Sequence, residues 1–218
     1  MKWLLPGITV IIFFGCDLAA SGDSSGTALT QQRVGGPCEG CEAVFESPAP
    51  LEQLSWQDTL ADFTEPGPRL VVSGKVLHPD GHTPAPGVVI YAYHTDQQGL
   101  YSKKGNETGW GIRHGYIRGW VKTNHHGEYR FYTLRPASYP NSDNPAHIHF
   151  TIKEPKLNAY YIDDIHFTDD PLLTEAIQRK QPNRAGTGIV QPRLQKGVMQ
   201  VTRDIYLGKN IPAYPKAH

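Results

Sequence analysis

His147-Ile148-His149-Phe150 opens a β-like run that reaches Ile152, and it follows Tyr139-Pro140 within nine residues. Successive side chains of a strand point to opposite faces, so His147 and His149 share one face while Ile148 takes the other. Two imidazoles so placed form a bidentate metal clamp. The same pattern also arises where two histidines simply sit on a solvated strand face. The phenol of Tyr139 favours the metal reading because it adds a third donor nearby.

Outward from this run, short β-like segments recur between turn signals. Leu70–Leu77 precedes Asp80-Gly81, Val88–Tyr93 precedes Gln98-Gly99, Gly119–Thr123 precedes His126-Gly127, and Tyr129–Leu134 precedes Pro136. Tyr160–Phe167 and Val198–Leu207 complete the series. Such spacing predicts an all-β fold, an antiparallel β-sandwich of about seven to nine strands with one or two short helices and long loops. A helix is expected over Pro171–Arg179, opened by Asp169-Asp170 with proline at its first position. A weak echo links Thr95–Tyr101 with Thr123–Tyr129, two tight glycine turns that each end in tyrosine. Hairpin packing suffices to explain Tyr129.

The 218 residues can build one substantial core, and 21 basic against 21 acidic side chains with no basic stripe exclude a nucleic-acid partner from the reading. Glycine (22) and proline (18) are scattered and charged residues make up only 19%, which suits a turn-rich β protein.

Met1-Lys2 followed by the apolar run Trp3–Phe14 reads as a signal segment over 1–16, too short for a membrane span. Its end, Phe13-Phe14-Gly15-Cys16, resembles a bacterial lipobox, so Cys16 is a candidate lipid anchor and the membrane contact. Phe13 stands where leucine is usual, which keeps plain cleavage near Ala19-Ala20-Ser21 as the alternative. Residues 17–48 are assigned to a tether carrying Cys38 and Cys41, small and polar to about Gly36; apolar residues from Pro37 to Pro68 suggest an arm around a domain spanning 49–218. In an exported protein the C-x-x-C spacing favours a local disulfide over a redox motif.

Three ordered blocks carry a resemblance to the intradiol ring-cleavage dioxygenases, the catechol and protocatechuate dioxygenase family, in a short exported form. They are Pro84–Tyr91 running into Gly99-Leu100-Tyr101, Thr123–Thr133 with Tyr139-Pro140, and Pro145-Ala146-His147-Ile148-His149-Phe150. Arg203–Leu207 is similar to the family's last core strand. The resemblance implies that Tyr101, Tyr139, His147 and His149 ligate Fe(III), and that Tyr139 is the ligand displaced when a catechol binds. It further implies cleavage of the ring between its hydroxyls, with both atoms of O2 entering a muconate-type diacid. The donor types suit that ion: a phenol ionises near 10 unless a cation lowers its pKa, and the resulting phenolate is a hard ligand for Fe(III).

Two positions depart from the family pattern. Asn144 stands where an arginine usually precedes Pro-Ala-His-Ile-His, and Asp164, fifteen residues beyond His149, stands where glutamine is usual. Both are candidate catalytic residues, and Arg113, Arg118 or Arg135 is a candidate to supply the missing cation. Trp110, His114 and Tyr116 belong to a segment that forms either a pocket wall or a mobile loop. His125 and His126 are expected at a solvated turn, and His166 in a supporting role. The alternatives to the enzyme are a noncatalytic carbohydrate- or protein-binding sandwich and a metal-binding protein without turnover. The oligomeric state stays open, a homodimer included.

Overall fold

In β2 (Arg69–Leu77), Leu70, Val72 and Val76 are buried while their neighbours are more exposed, so one face of the strand meets the core. The computed structural model describes residues 33–62 and 65–216; the expected signal segment, Cys16 and the tether from 17 to 32 lie outside the described residues. β5 (Glu128–Leu134) runs antiparallel to β2 with Val72 opposite Phe131. β1 (Gln57–Thr59) flanks β5, and β10 (Val198–Thr202) flanks β2 with β9 (Arg193–Gln195) beyond it. β11 (Ile205–Tyr206) pairs with the far half of β2. The single expected strand Val198–Leu207 is thus broken. Gly74 explains the break, since a Cβ there would lie 1.9 Å from the Arg203 carbonyl oxygen, and the Lys75 N–H donates to Asp204 Oδ1 at 2.9 Å.

The second sheet runs β4 (Arg118–Lys122), β3 (Val89–His94), β6 (His147–Lys153), β7 (Tyr160–Phe167), β8 (Ile189–Val190). Its inner face meets the first sheet through Ile90, Ile148, Phe150, Ile152 and Ile165, and Tyr129, Phe131 and Phe150 pack edge-on with centroids 5.8–6.1 Å apart. Truncating a ring such as Phe150 in this core would cost about 3–5 kcal/mol. The sandwich is therefore present, with sheets that are mixed rather than purely antiparallel. The β1/β5, β10/β2, β11/β2 and β7/β8 pairs are parallel, because these short pieces arrive by long connections rather than hairpins.

The outer face of the second sheet is also apolar, at Val89, Tyr91 and Trp120. The arm covers it. Ala43 and Val44, in a 3₁₀ turn over Cys41–Phe45, are fully buried there, and the Trp120 indole N–H donates to the Ala43 carbonyl at 3.1 Å. Packing hence begins well before the expected boundary at residue 49: Val34 and Cys41 are buried too, and Cys38 is joined to Cys41. α1 (Gly111–His114) lies in the loop between β3 and β4. The helix expected from Pro171 begins later, as α2 (Glu175–Arg179). Leu172 N–H donates to Asp170 Oδ1 at 2.9 Å, holding the preceding residues in a turn, and Thr174 Oγ1 caps the helix by accepting from the Ile177 N–H.

Candidate metal centre

β6 brings the two histidines to the site. Ile148, Phe150 and Ile152 face the core, which leaves His147 and His149 on the opposite side. The β6/β7 register shifts between Ile148 and Phe150, so that Asp163 and Asp164 together face His149. This bulge sets Asp164 Oδ1 2.9 Å from His149 Nδ1. His147 Nδ1 lies 2.7 Å from the Pro145 carbonyl, which only accepts, so its proton sits on Nδ1 and its Nε2 lone pair is free. Each ring is thereby oriented with Nε2 toward the centre.

The two phenols come from loops pressed backbone to backbone. Gly99 has φ +75, and a Cβ there would lie 1.9 Å from the Ser138 carbonyl oxygen, so only glycine permits this approach. Thr95 Oγ1 donates to the Ala137 carbonyl at 2.6 Å, and the Ala137 N–H donates to the Asp96 carbonyl at 3.1 Å. Asp96 Oδ1 accepts from the Gln98 and Leu100 N–H groups at 2.8 and 3.0 Å, which fixes the turn leading into Tyr101.

Four donor atoms converge as a result. Tyr101 Oη lies 2.5 Å from Tyr139 Oη and 2.9 Å from His149 Nε2. Tyr139 Oη is 3.1 Å from His147 Nε2 and 3.5 Å from His149 Nε2, and the two Nε2 atoms are 3.1 Å apart. Donors bound at about 2.0–2.1 Å to one transition-metal ion, at angles of 90–120°, are separated by about 2.9–3.5 Å. Four of the five separations fall in that range; the Tyr101–Tyr139 pair, at 2.5 Å, is closer, so an ion would part the two phenol oxygens by about 0.4 Å. Burial pushes both phenols above their usual pKa, and burial pushes His147 down, so without a cation these groups stay neutral. His147, His149 and Asp164 also bring ligand atoms within 4.8 Å of one another. Because Asp164 binds the far nitrogen of His149, it orients that ligand instead of joining the four donors.

A stack of rings leads away from His149. Tyr93, directly opposite His149 in the β3/β6 register, stacks on it at 4.5 Å and on His114 at 3.8 Å; Trp110 follows at 5.3 Å from His114. His114 Nδ1 bonds with the Tyr91 hydroxyl at 2.8 Å, and Glu46 holds Trp110 by accepting its backbone N–H at 2.8 Å. A cavity of about 270 Å³ lies in front, lined by Tyr101, Tyr139, His149, Tyr93, Trp110, His114, Arg113 and Glu39. A groove of about 370 Å³ on the first sheet contains Trp56 and Arg130, but Arg130 covers the Trp56 ring at 5.3 Å, and among the described residues no group of three or more histidine, cysteine or carboxylate donors converges there.

The expected donors Tyr101, Tyr139, His147 and His149 are thus brought together. The expected catalytic roles of Asn144 and Asp164 are not supported by position, since Asn144 is exposed, Asp164 lies behind His149, and neither lines the cavity. Of the three candidate arginines only Arg113 reaches the cavity; Arg118 pairs with Glu46 at 2.7 Å and Arg135 with Asp169 at 2.7 Å. Trp110 and His114 form wall, whereas Tyr116 turns away and donates to Glu65. His125 and His126 are exposed at their turn, and His166 is buried 5.8 Å from the His147 ring. Tyr93 and Glu39 were not foreseen. Tyr93 was visible in principle, since in Val88–Tyr93 it shares a strand face with Tyr91, opposite Ile90.

Comparison with known proteins identifies the family. The Dioxygenase_C family model, described as dioxygenase, matches residues 43–205. The chain is 27% identical over 134 residues to the protocatechuate 3,4-dioxygenase beta chain of Burkholderia cepacia, covering 59% of this chain and 57% of that one. It is 32% identical over 102 residues to catechol 1,2-dioxygenase 1 of Acinetobacter lwoffii, covering 38% and 31% respectively. It therefore spans only about a third to somewhat over half the length of these relatives. In fold it is similar to Acinetobacter radioresistens catechol 1,2-dioxygenase (TM-score 0.55, 17% identity, 75% of this chain and 60% of that one). It is likewise similar to the dioxygenase domain of a dioxygenase carbohydrate-binding protein fusion from Streptomyces sp. SirexAA-E (TM-score 0.52, 23% identity, 68% and 85%). With three quarters of its length matched by the family model and its sandwich shared with these structures, the chain belongs to the intradiol ring-cleavage dioxygenase family.

Proposed function

We propose that this protein is an exported non-haem Fe(III) dioxygenase that cleaves a catecholic ring between its two hydroxyls, giving a muconate-type diacid with both atoms of O2 incorporated. The observation that carries the reading is the convergence of two phenols and two Nε2 lone pairs at one point. Tyr101, Tyr139, His147 and His149 would hold the ion, and a ferric ion so held supplies Lewis acidity that activates a chelated catecholate toward O2.

The chain's own residues do the rest. Asp164 and the Pro145 carbonyl fix the two imidazoles, so that no ligand ring has to turn before substrate binds. Tyr139, half-buried at the cavity edge, would be the exchangeable donor. Its Oη, at the cavity that would receive the substrate, would be placed to accept a substrate proton. Tyr101 stays in place, and Tyr93, Trp110 and His114 give the aromatic ring a flat wall and keep water from one side of it.

The Cys38–Cys41 disulfide supports an oxidising compartment, in keeping with export and an anchor at Cys16. A second reading, metal binding without efficient turnover, is favoured by one observation: Asn144 is exposed and leaves no cation at that point. One lost preorganised charge costs about a hundredfold or more in rate. Oxygen uptake by the iron-loaded protein with catechol, protocatechuate and hydroxyquinol, together with product identification, separates the two. The dioxygenase reading expects stoichiometric O2 consumption and a ring-opened diacid. Full iron occupancy with no uptake on any of them would leave only the metal-binding reading.

A further inference from the structure

The outer wall of the cavity is built from the disulfide turn rather than from the sandwich. Cys38 and Cys41 close a turn whose Gly40, at φ +82, rests on the His114 ring: a Cβ there would lie 3.0 Å from both Cε1 and Nε2, and 3.4 Å from the Trp110 ring. Beside it Glu39 faces the cavity and accepts from Arg113 Nη1. Arg113 in turn lies over the Trp110 ring at 5.5 Å. An aromatic slot that ends at the metal donors therefore carries a charged pair at its outer end.

We propose that Arg113 is a specificity-determining residue that binds a carboxylate on the substrate's ring substituent, remote from the hydroxyls held at the metal. A guanidinium has five N–H donors, and one nitrogen engaged by Glu39 leaves the remainder for a second carboxylate. The Glu39 contact is weakly held, because both side chains are largely exposed, at 62% for Arg113 and 72% for Glu39. Glu39 acts as a stand-in anion that positions Arg113 over Trp110 until substrate arrives. The substrate class is an anionic catechol with a short carboxylate-bearing side chain. This rests on the catechol reading above.

The test is titration calorimetry of the full iron-loaded protein under argon, which reads binding without turnover. The probes are dihydrocaffeate (carboxylate tail), ethylcatechol (neutral tail) and dopamine (ammonium tail). Dihydrocaffeate should bind roughly fivefold tighter than ethylcatechol, a preference that shrinks as salt is added. Arg113→Gln should bring that ratio to about one, Arg113→Lys should restore part of it, and Glu39→Gln, which removes the internal competitor, should widen it. Equal affinities in the unsubstituted protein, a preference that survives Arg113→Gln, or tightest binding of dopamine would each overturn the assignment to Arg113 alone. Failure of all three probes to bind would overturn the catechol reading, and this inference with it.

Discussion

Replacing Gly99 by alanine tests how the two phenols are brought together. The new Cβ would lie 1.9 Å from the Ser138 carbonyl oxygen and 3.1 Å from Pro140 Cδ, and restoring an ordinary contact of 3.4 Å requires the loops to part by about 1.5 Å. The left-handed backbone at φ +75 adds about 1–2 kcal/mol for any residue with a Cβ, and forced packing adds about 1–3 kcal/mol. A total of about 2–5 kcal/mol should lower Tm by roughly 4–20 °C for a chain of this size. The larger effect falls on the site. Tyr139 is next to Ser138, so the 2.5 Å Tyr101–Tyr139 contact opens by a comparable amount. A misplacement of about 1 Å is worth on the order of a hundredfold in rate where positioned groups act together. Calorimetric melting and iron analysis after dialysis check both effects, with Gly87→Ala, where a Cβ would meet nothing within 4 Å, as the control for left-handed strain alone. If Gly99→Ala melts like Gly87→Ala and retains full iron, the loop contact does not position the tyrosines and the reasoning is refuted.

Asp164→Ala should weaken iron binding by about 10–100-fold, while Asp164→Asn, which can still accept from His149 Nδ1, should recover part of it; competitive chelation reads both, and equal losses would show that charge alone matters. His94 is buried, with Nδ1 donating to the Thr95 carbonyl at 2.7 Å and Nε2 accepting from the Thr133 hydroxyl at 2.7 Å. Burial lowers its pKa to about 4 from 6.5, so its neutral form contributes stability that is present above pH 6.5 and lost as pH falls toward 4, about 3 kcal/mol in all. Urea unfolding from pH 7 to 4 should show a flatter pH slope for His94→Gln than for the parent protein, and an unchanged slope would contradict this. Replacing Cys38 and Cys41 together by serine should cost about 2 kcal/mol, given the short loop of sequence separation 3, without loss of iron. Iron lost in parallel would mean that the arm supports the metal donors as well as the cavity wall.

The donors were legible because strand alternation is a local rule: once His147–Ile152 is a strand with Ile148 inward, both imidazoles must face the other way. Tyr139 was legible as a nearby third donor, but Tyr101 only through family resemblance, since their meeting depends on two loops 38 residues apart whose contact no local pattern encodes. The position of Asp164 was only partly legible for a related reason. A count of fifteen residues from His149 places it near the site, but the β7 bulge turns it behind the ring, and a bulge leaves no mark in residue spacing. Irregular apolar residues from Pro37 onward signalled an arm; that Gly40 and Glu39 of that arm complete the cavity follows only from the packing of His114 and Arg113. Parallel pairing of the short edge strands was likewise hidden, because it depends on where long connections return the chain.

The central claim is that two phenolates and two imidazoles hold one ferric ion. Visible absorption of the iron-loaded protein tests it most directly, because phenolate-to-Fe(III) charge transfer gives a red-brown colour that histidine and carboxylate ligands do not. The account predicts that colour at one iron per chain, with the band weakened and shifted but not abolished in Tyr139→Phe, where Tyr101 remains. A colourless protein that carries one Fe(III) per chain would contradict it.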